Sequence, residues 1–193
     1  MTELSTETLD AIARRYSCRA YRDEPVPQQT LRAIAEAGAR APSAVNRQPW
    51  RLVVVSDGAV VSELGASGLA ALRVADEAGY ARIASRGGEL FYGAPAMIVV
   101  AAEPQPGLLA ADLDVGIVAS HLALAATSLG VNSCICGLGR LAFEGVEGEA
   151  WKRRLGFPAG FGCGITVLLG YAAAEGGTPH QPDFAKIIEV PAT

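Results

Sequence analysis

Two short stretches of this chain carry the residue types that could do chemistry. The first, RRYSCRAY at residues 14–21, places the guanidinium groups of Arg14, Arg15 and Arg19 within six residues, with the Ser17 hydroxyl between them. Guanidinium forks bind phosphate through paired hydrogen bonds, so this run could cradle a phosphate. A solvated helix end is the other reading, because arginine near a helix C-terminus is favoured by the dipole. The second stretch, APSAVNRQPW at 41–50, lacks helical or strand periodicity. Pro42 and Pro49 fix its backbone, while Ser43, Asn46 and Gln48 offer short polar groups. Asn and Gln amides can pair with a heteroaromatic edge that both donates and accepts, as in flavins, nucleobases or pterins. A capped loop with Ser43 as N-cap and Trp50 in the core would also account for it.

A third candidate is the end of VNSCICGLG, residues 131–139, which reads as a strand closing in a glycine-flanked turn at Cys136, Gly137, Leu138 and Gly139. Glycine there lets backbone N–H groups approach a planar ligand. The spacing is not that of the dinucleotide fingerprint. Four cysteines, Cys18, Cys134, Cys136 and Cys163, form no metal-ligand pattern and read as buried structural residues. The two histidines, His121 and His180, are too few for a histidine metal site, and no metal is expected. His121 falls inside an apolar helix and reads as a satisfied core or interface residue.

These residues need elements to hold them. Residues 6–15 read as a helix with Leu9, Ile12 and Ala13 on one face, and 28–40 as a second, opened by Pro27. Strands are expected at 51–56, 94–103, 131–139 and 162–172, and an alanine-rich helical stretch at 60–86. A polar loop is expected around 104–107. The helix at 112–129 is apolar on nearly every face, as a central or interfacial helix would be. A terminal KIIEV run, 186–190, suits an edge strand or an addition to a partner's sheet. The order predicts an α+β fold, with a mixed, mostly antiparallel sheet packed on central helices. One domain over 1–193 fits the length.

Half of the 193 residues are hydrophobic and 19% are charged. That surplus of apolar surface implies burial against a second chain. A formal net charge of −4 argues against a nucleic-acid partner. The apolar runs are interrupted short of the ~20 residues a membrane span needs, and the N-terminus has no signal-peptide pattern, so a cytoplasmic protein without membrane association is expected.

With these elements placed, the chain resembles the flavin-dependent nitroreductase family over nearly its whole length. The markers run in order: Arg15, Ser17 and Arg19; APSxxNxQPW at 41–50; GAPAMIVV at 93–100; the helix at 114–130; the strand and turn at 131–139; and Gly170-Tyr171. The resemblance implies a three-layer α/β/α fold and an intertwined homodimer that binds FMN at its interface. It implies that Arg15, Tyr16, Ser17 and Arg19 hold the phosphate and ribityl oxygens. Pro42, Ser43, Asn46 and Gln48 would reach the flavin mainly from the partner chain, and Cys136, Gly137, Leu138 and Gly139 would line the ring. The implied activity is hydride uptake from NADH or NADPH and delivery to an electron-poor small-molecule acceptor, a nitroaromatic, a quinone or another, in ping-pong order. The flavin carries that chemistry, so no side chain is assigned as catalytic. Flavin fragmentation, dehalogenation and heterocycle oxidation on the same fold, or non-catalytic flavin binding, are the alternatives. One departure stands out: His180 and Gln181 occupy the place where the family has basic residues, with Lys186 as a possible substitute.

Overall fold

The computed structural model describes residues 6–104, 111–174 and 177–190, so most of the expected 104–107 loop and Gly176 lie outside the described residues. Strands β1 (Trp50–Val55), β2 (Ala96–Ala102), β3 (Asn132–Cys136) and β4 (Gly162–Gly170) pair in the order β1-β2-β4-β3, each pair antiparallel. The mixed character of the sheet is confined to one parallel bridge, from Ser17 outside the strands to Ser133 of β3. Side chains alternate across a strand, and both faces of this sheet are covered. Ile98, Val100, Val167 and Leu169 pack with residues of α2 (Gln28–Ala39) and α5 (Ala111–Ser128), among them Leu31, Ile34, Val118 and Leu122. Met97, Val99 and Leu168 meet the opposite layer of α3 (Gly58–Ala75), α6 (Leu141–Glu144) and α7 (Gly148–Arg154) through Val61, Leu64, Phe143 and Trp151. Covering both faces is why β2 reads as a continuous apolar run and is buried at every position.

The first helix, α1 (Glu7–Arg14), starts where Thr6 Oγ1 accepts from the Leu9 N–H at 3.3 Å. Glu7 and Asp10 in its first turn and Arg14 in its last suit the dipole. Its apolar face does not enter the core: Ala11 is buried, but Leu9 and Ile12 are half exposed. The 60–86 stretch divides into α3 and α4 (Glu77–Ala84) because Asp76 leaves helical geometry and its carboxylate caps α4, accepting from Gly79 N–H at 2.8 Å. By length and composition α3 alone among the described helices could cross a bilayer, yet its stripe of Val61, Leu64, Gly65, Gly68 and Leu72 is buried.

Two expected strand ends shift. β3 stops at Cys136 and a 3-10 helix, Gly137–Arg140, replaces its last residues. The terminal KIIEV run is not a strand; a 3-10 helix at Phe184–Lys186 leads into an exposed segment. Its alternation supplies a strand's side-chain pattern, but a strand exists only with a ladder partner, and the chain's described sheet offers it none.

Candidate functional site

Residues 15–22 do not trail into solvent after α1 but are fastened beside β3. Cys18 N–H donates to the Ser133 carbonyl at 2.9 Å, Arg22 N–H to Tyr171 O at 2.8 Å, and Ala173 N–H to Ala20 O at 3.0 Å. Asn132 ties three segments: its Nδ2 donates to the Tyr16 hydroxyl at 3.2 Å, and its Oδ1 accepts from Ala172 N–H at 2.9 Å. Cys18 turns inward and is buried, while the Arg19 side chain stays exposed, its Nη1 donating to Ser17 O at 3.4 Å. Among the described residues neither Arg15 nor Arg19 has a carboxylate partner. The helix-end reading suits Arg14, in the last turn of α1, and Arg15, its C-cap residue, but Arg19 lies beyond the helix. Uncompensated guanidinium groups and a hydroxyl on a fixed backbone can bind an oxyanion. A cavity of ≈ 210 Å³ is lined by residues including Arg14, Tyr16, Thr127 and Asn132, but by none of Arg15, Ser17 and Arg19.

The turn after β3 is the second part. Burial pushes the Cys136 thiol above its usual pKa; the nearby N–H groups of Gly139 and Leu138, the Thr166 hydroxyl and the Arg19 guanidinium oppose that shift. Arg19 also opposes the burial-driven rise at Cys134. The Ser17–Ser133 bridge holds the basic segment against β3, the strand that leads into the 136–139 turn. Cys136 and Gly139 are buried, whereas Gly137 and Leu138 are exposed. All four cysteines are free and buried, and no cluster of potential metal ligands occurs among the described residues.

The amide loop lies elsewhere. Residues 42–48 precede β1, at the sheet edge opposite β3, three strand spacings or about 14 Å away. The loop is tightly built: Ser43 Oγ accepts from Gln48 N–H at 2.9 Å, and Gln48 Nε2 donates to Asn46 Oδ1 at 2.9 Å. Ser43 thus closes the loop through its hydroxyl rather than capping the 3-10 turn Ala44–Asn46, and Trp50 is buried. Val45, Asn46 and Gln48 all adopt positive φ (47°, 56° and 49°) without a glycine among them. A β-branched residue there is strained by about 1–3 kcal/mol, and such strain persists where surrounding contacts impose it. Pro42, Asn46 and Gln48 are exposed.

The tail passes over the first segment, since a Cβ on Gly177 would fall on the Tyr16 ring. His180 follows three residues later and is exposed, while Lys186 faces Asp183 at 3.9 Å. His121 makes a hydrogen bond from Nδ1 to Ile117 O at 2.9 Å, a satisfied helix residue. A separate cavity of ≈ 260 Å³ between α3 and residues 88–95 touches none of the expected site residues. Sequence reasoning missed Thr166, Asp114 and Asn132, each polar and bonded to one of these segments. For Thr166 the available signal was a lone polar residue in an apolar strand.

The chain is similar in shape and in sequence to known proteins. A family model described as the nitroreductase family matches residues 12–171. A nitroreductase with bound FMN from Desulfitobacterium hafniense DCB-2 is 47% identical, with a TM-score of 0.90 over 97% of this chain and 100% of that one. Another with bound FMN, from Bacteroides fragilis NCTC 9343, is 29% identical with a TM-score of 0.85, covering 97% of this chain and 100% of its own. A Thermus thermophilus protein named NADH dehydrogenase is 30% identical over 92% of this chain and 93% of its own. The matched span takes in the basic segment, the amide loop and the turn after β3, and the chain belongs to the nitroreductase family.

Proposed function

We propose that this chain is an FMN-dependent oxidoreductase that takes hydride from NADH or NADPH and reduces an electron-poor small molecule, a nitroaromatic or a quinone. A single FMN-binding domain working as a cytoplasmic homodimer is part of the same reading. The observation that carries it is the end-to-end similarity, at 47% identity, to a nitroreductase that holds FMN. The name of the Thermus thermophilus relative supports the nicotinamide donor.

The donor set suits FMN. Arg15 and Arg19 are cationic groups without carboxylate partners among the described residues, and with Ser17 they match a phosphate and its ribityl hydroxyls. Gly137 has open space where a Cβ would stand, with Ile165 at 3.9 Å as its nearest neighbour, so a flat ring can approach the backbone. Bound there, FMN would supply the hydride chemistry, and the protein would bind, orient and tune it. Arg19 adds positive charge near the turn and favours electron-rich states of whatever lies against it. Asn46 and Gln48 sit by the opposite sheet edge from this group, which supports their supply by a second copy. The outward apolar face of α1, with Leu9 and Ile12, and the exposed Phe184, Ile187 and Ile188 support the same assembly.

The test is anaerobic mixing of FMN-loaded protein with NADH or NADPH. Loss of the flavin absorbance, and its return on adding a nitroaromatic or quinone, is the expected result. Bound FMN that stays oxidised with both donors overturns the reductase reading and leaves a flavin-binding module.

A further inference from the structure

Thr166 is a hydroxyl in an apolar strand, with 0% of its surface exposed. Valine has nearly its shape and would carry no polar group into the core, so the hydroxyl needs a partner to be tolerated. It donates to the Cys136 carbonyl at 2.8 Å. Cys136 is the last residue of β3 and pairs in register with Thr166, so this bond is made where the ladder ends and the turn begins. The same side chain seats the turn a second time. A Cβ added to Gly139 would fall on Thr166 Oγ1 and Cγ2, so the Gly139 backbone lies directly against it. Two fixed points, a hydrogen bond at residue 136 and a contact at residue 139, bracket the exposed Gly137 and Leu138.

We propose that Thr166 is the positioning residue of this turn: by holding Cys136 O and seating Gly139, it presents the backbone of Gly137 and Leu138 to the flavin in one orientation. The inference rests on the reading of the turn as flavin-facing. Thr166 touches no ligand itself. Its effect runs through the turn, and it reaches flavin affinity and flavin electronics because backbone N–H groups held in place stabilise charge without reorganising.

Thr166→Val and Thr166→Ser separate the hydroxyl from the methyl group. In the flavin-free protein, amide hydrogen exchange of residues 137–140 should quicken about tenfold or more in T166V and stay within about twofold of wild type in T166S. In the FMN-loaded protein, T166V should weaken FMN binding about tenfold and shift the flavin reduction potential, with both restored in T166S. Should T166V fail to fold, Thr166→Ala removes the hydroxyl without added shape constraint, and the same changes are expected of it. Unchanged exchange in the hydroxyl-less variant overturns the proposal, as does quickened exchange with unaltered affinity and potential. A wild-type protein that refuses FMN sinks the functional reading instead, and the exchange data still decide whether Thr166 holds the turn.

Discussion

The Asp114 carboxylate, buried in the first turn of α5, accepts a hydrogen bond from the Ala44 N–H at 3.3 Å across 70 residues of chain. This bond ties the apolar central helix to the amide loop at the residue before Val45 and Asn46, both at positive φ. Replacing Asp114 by Ala should cost about 1–2 kcal/mol in urea unfolding and weaken FMN binding, whereas Asp114→Asn, which retains an acceptor oxygen, should cost less. A loop that keeps its FMN affinity in D114A would show that the bond does not shape it.

Arg15→Ala and Arg19→Ala should each reduce FMN affinity about tenfold or more, read by fluorescence titration, with little change in unfolding midpoint because neither arginine has a carboxylate partner among the described residues. Lysine at either position should restore only part of the loss, since it cannot form the two-point fork.

The opposite sheet edges predict a complementation result. A chain carrying R15A and R19A, co-expressed with one carrying N46A and Q48A, should form a heterodimer with one intact site and one doubly defective site. Half the wild-type flavin content is therefore expected where each homodimer binds poorly. Flavin-free heterodimers would place both segments in the same chain's site.

Gly139→Ala and Gly137→Ala should differ sharply. A methyl group at 139 collides with Thr166, and overpacking of that kind costs about 1–3 kcal/mol. At 137 the nearest atom is Ile165 Cδ1 at 3.9 Å, so thermal unfolding should be nearly unchanged, and any loss in G137A should appear in flavin binding instead.

Burial pushes the Cys163 thiol up to about 12 and raises Cys134 and Cys136 in the same direction. A raised folded-state value means the folded chain keeps its proton while the unfolded chain ionises near about pH 8.5. Stability should be flat below that value and fall as pH rises toward 12, with a slope near 1.4 kcal/mol per pH unit from Cys163 and a contribution of the same sign from Cys134 and Cys136. Urea unfolding from pH 7 to 10 measures this, and Cys163→Ala should flatten the alkaline slope.

Several elements were legible in the chain because their determinants are local. The amphipathic run of α1, Pro27 at the start of α2, the β-branched run of β1 and the apolar helix α5 each act within a few residues of themselves. The chemical character of residues 15–19, 42–48 and 136–139 was legible for the same reason: charge, amide and glycine are properties of side chains. Tertiary structure decided what a local window cannot hold. The order β1-β2-β4-β3 sets the amide loop and the basic segment on opposite edges, and it follows from how two helical layers cover one sheet. Leu9 and Ile12 have a helical apolar pattern whether they face a core or solvent, so their outward direction came from the docking of α1. Thr166 and Asp114 find partners 30 and 70 residues away, and only the packed fold brings those groups within hydrogen-bond distance.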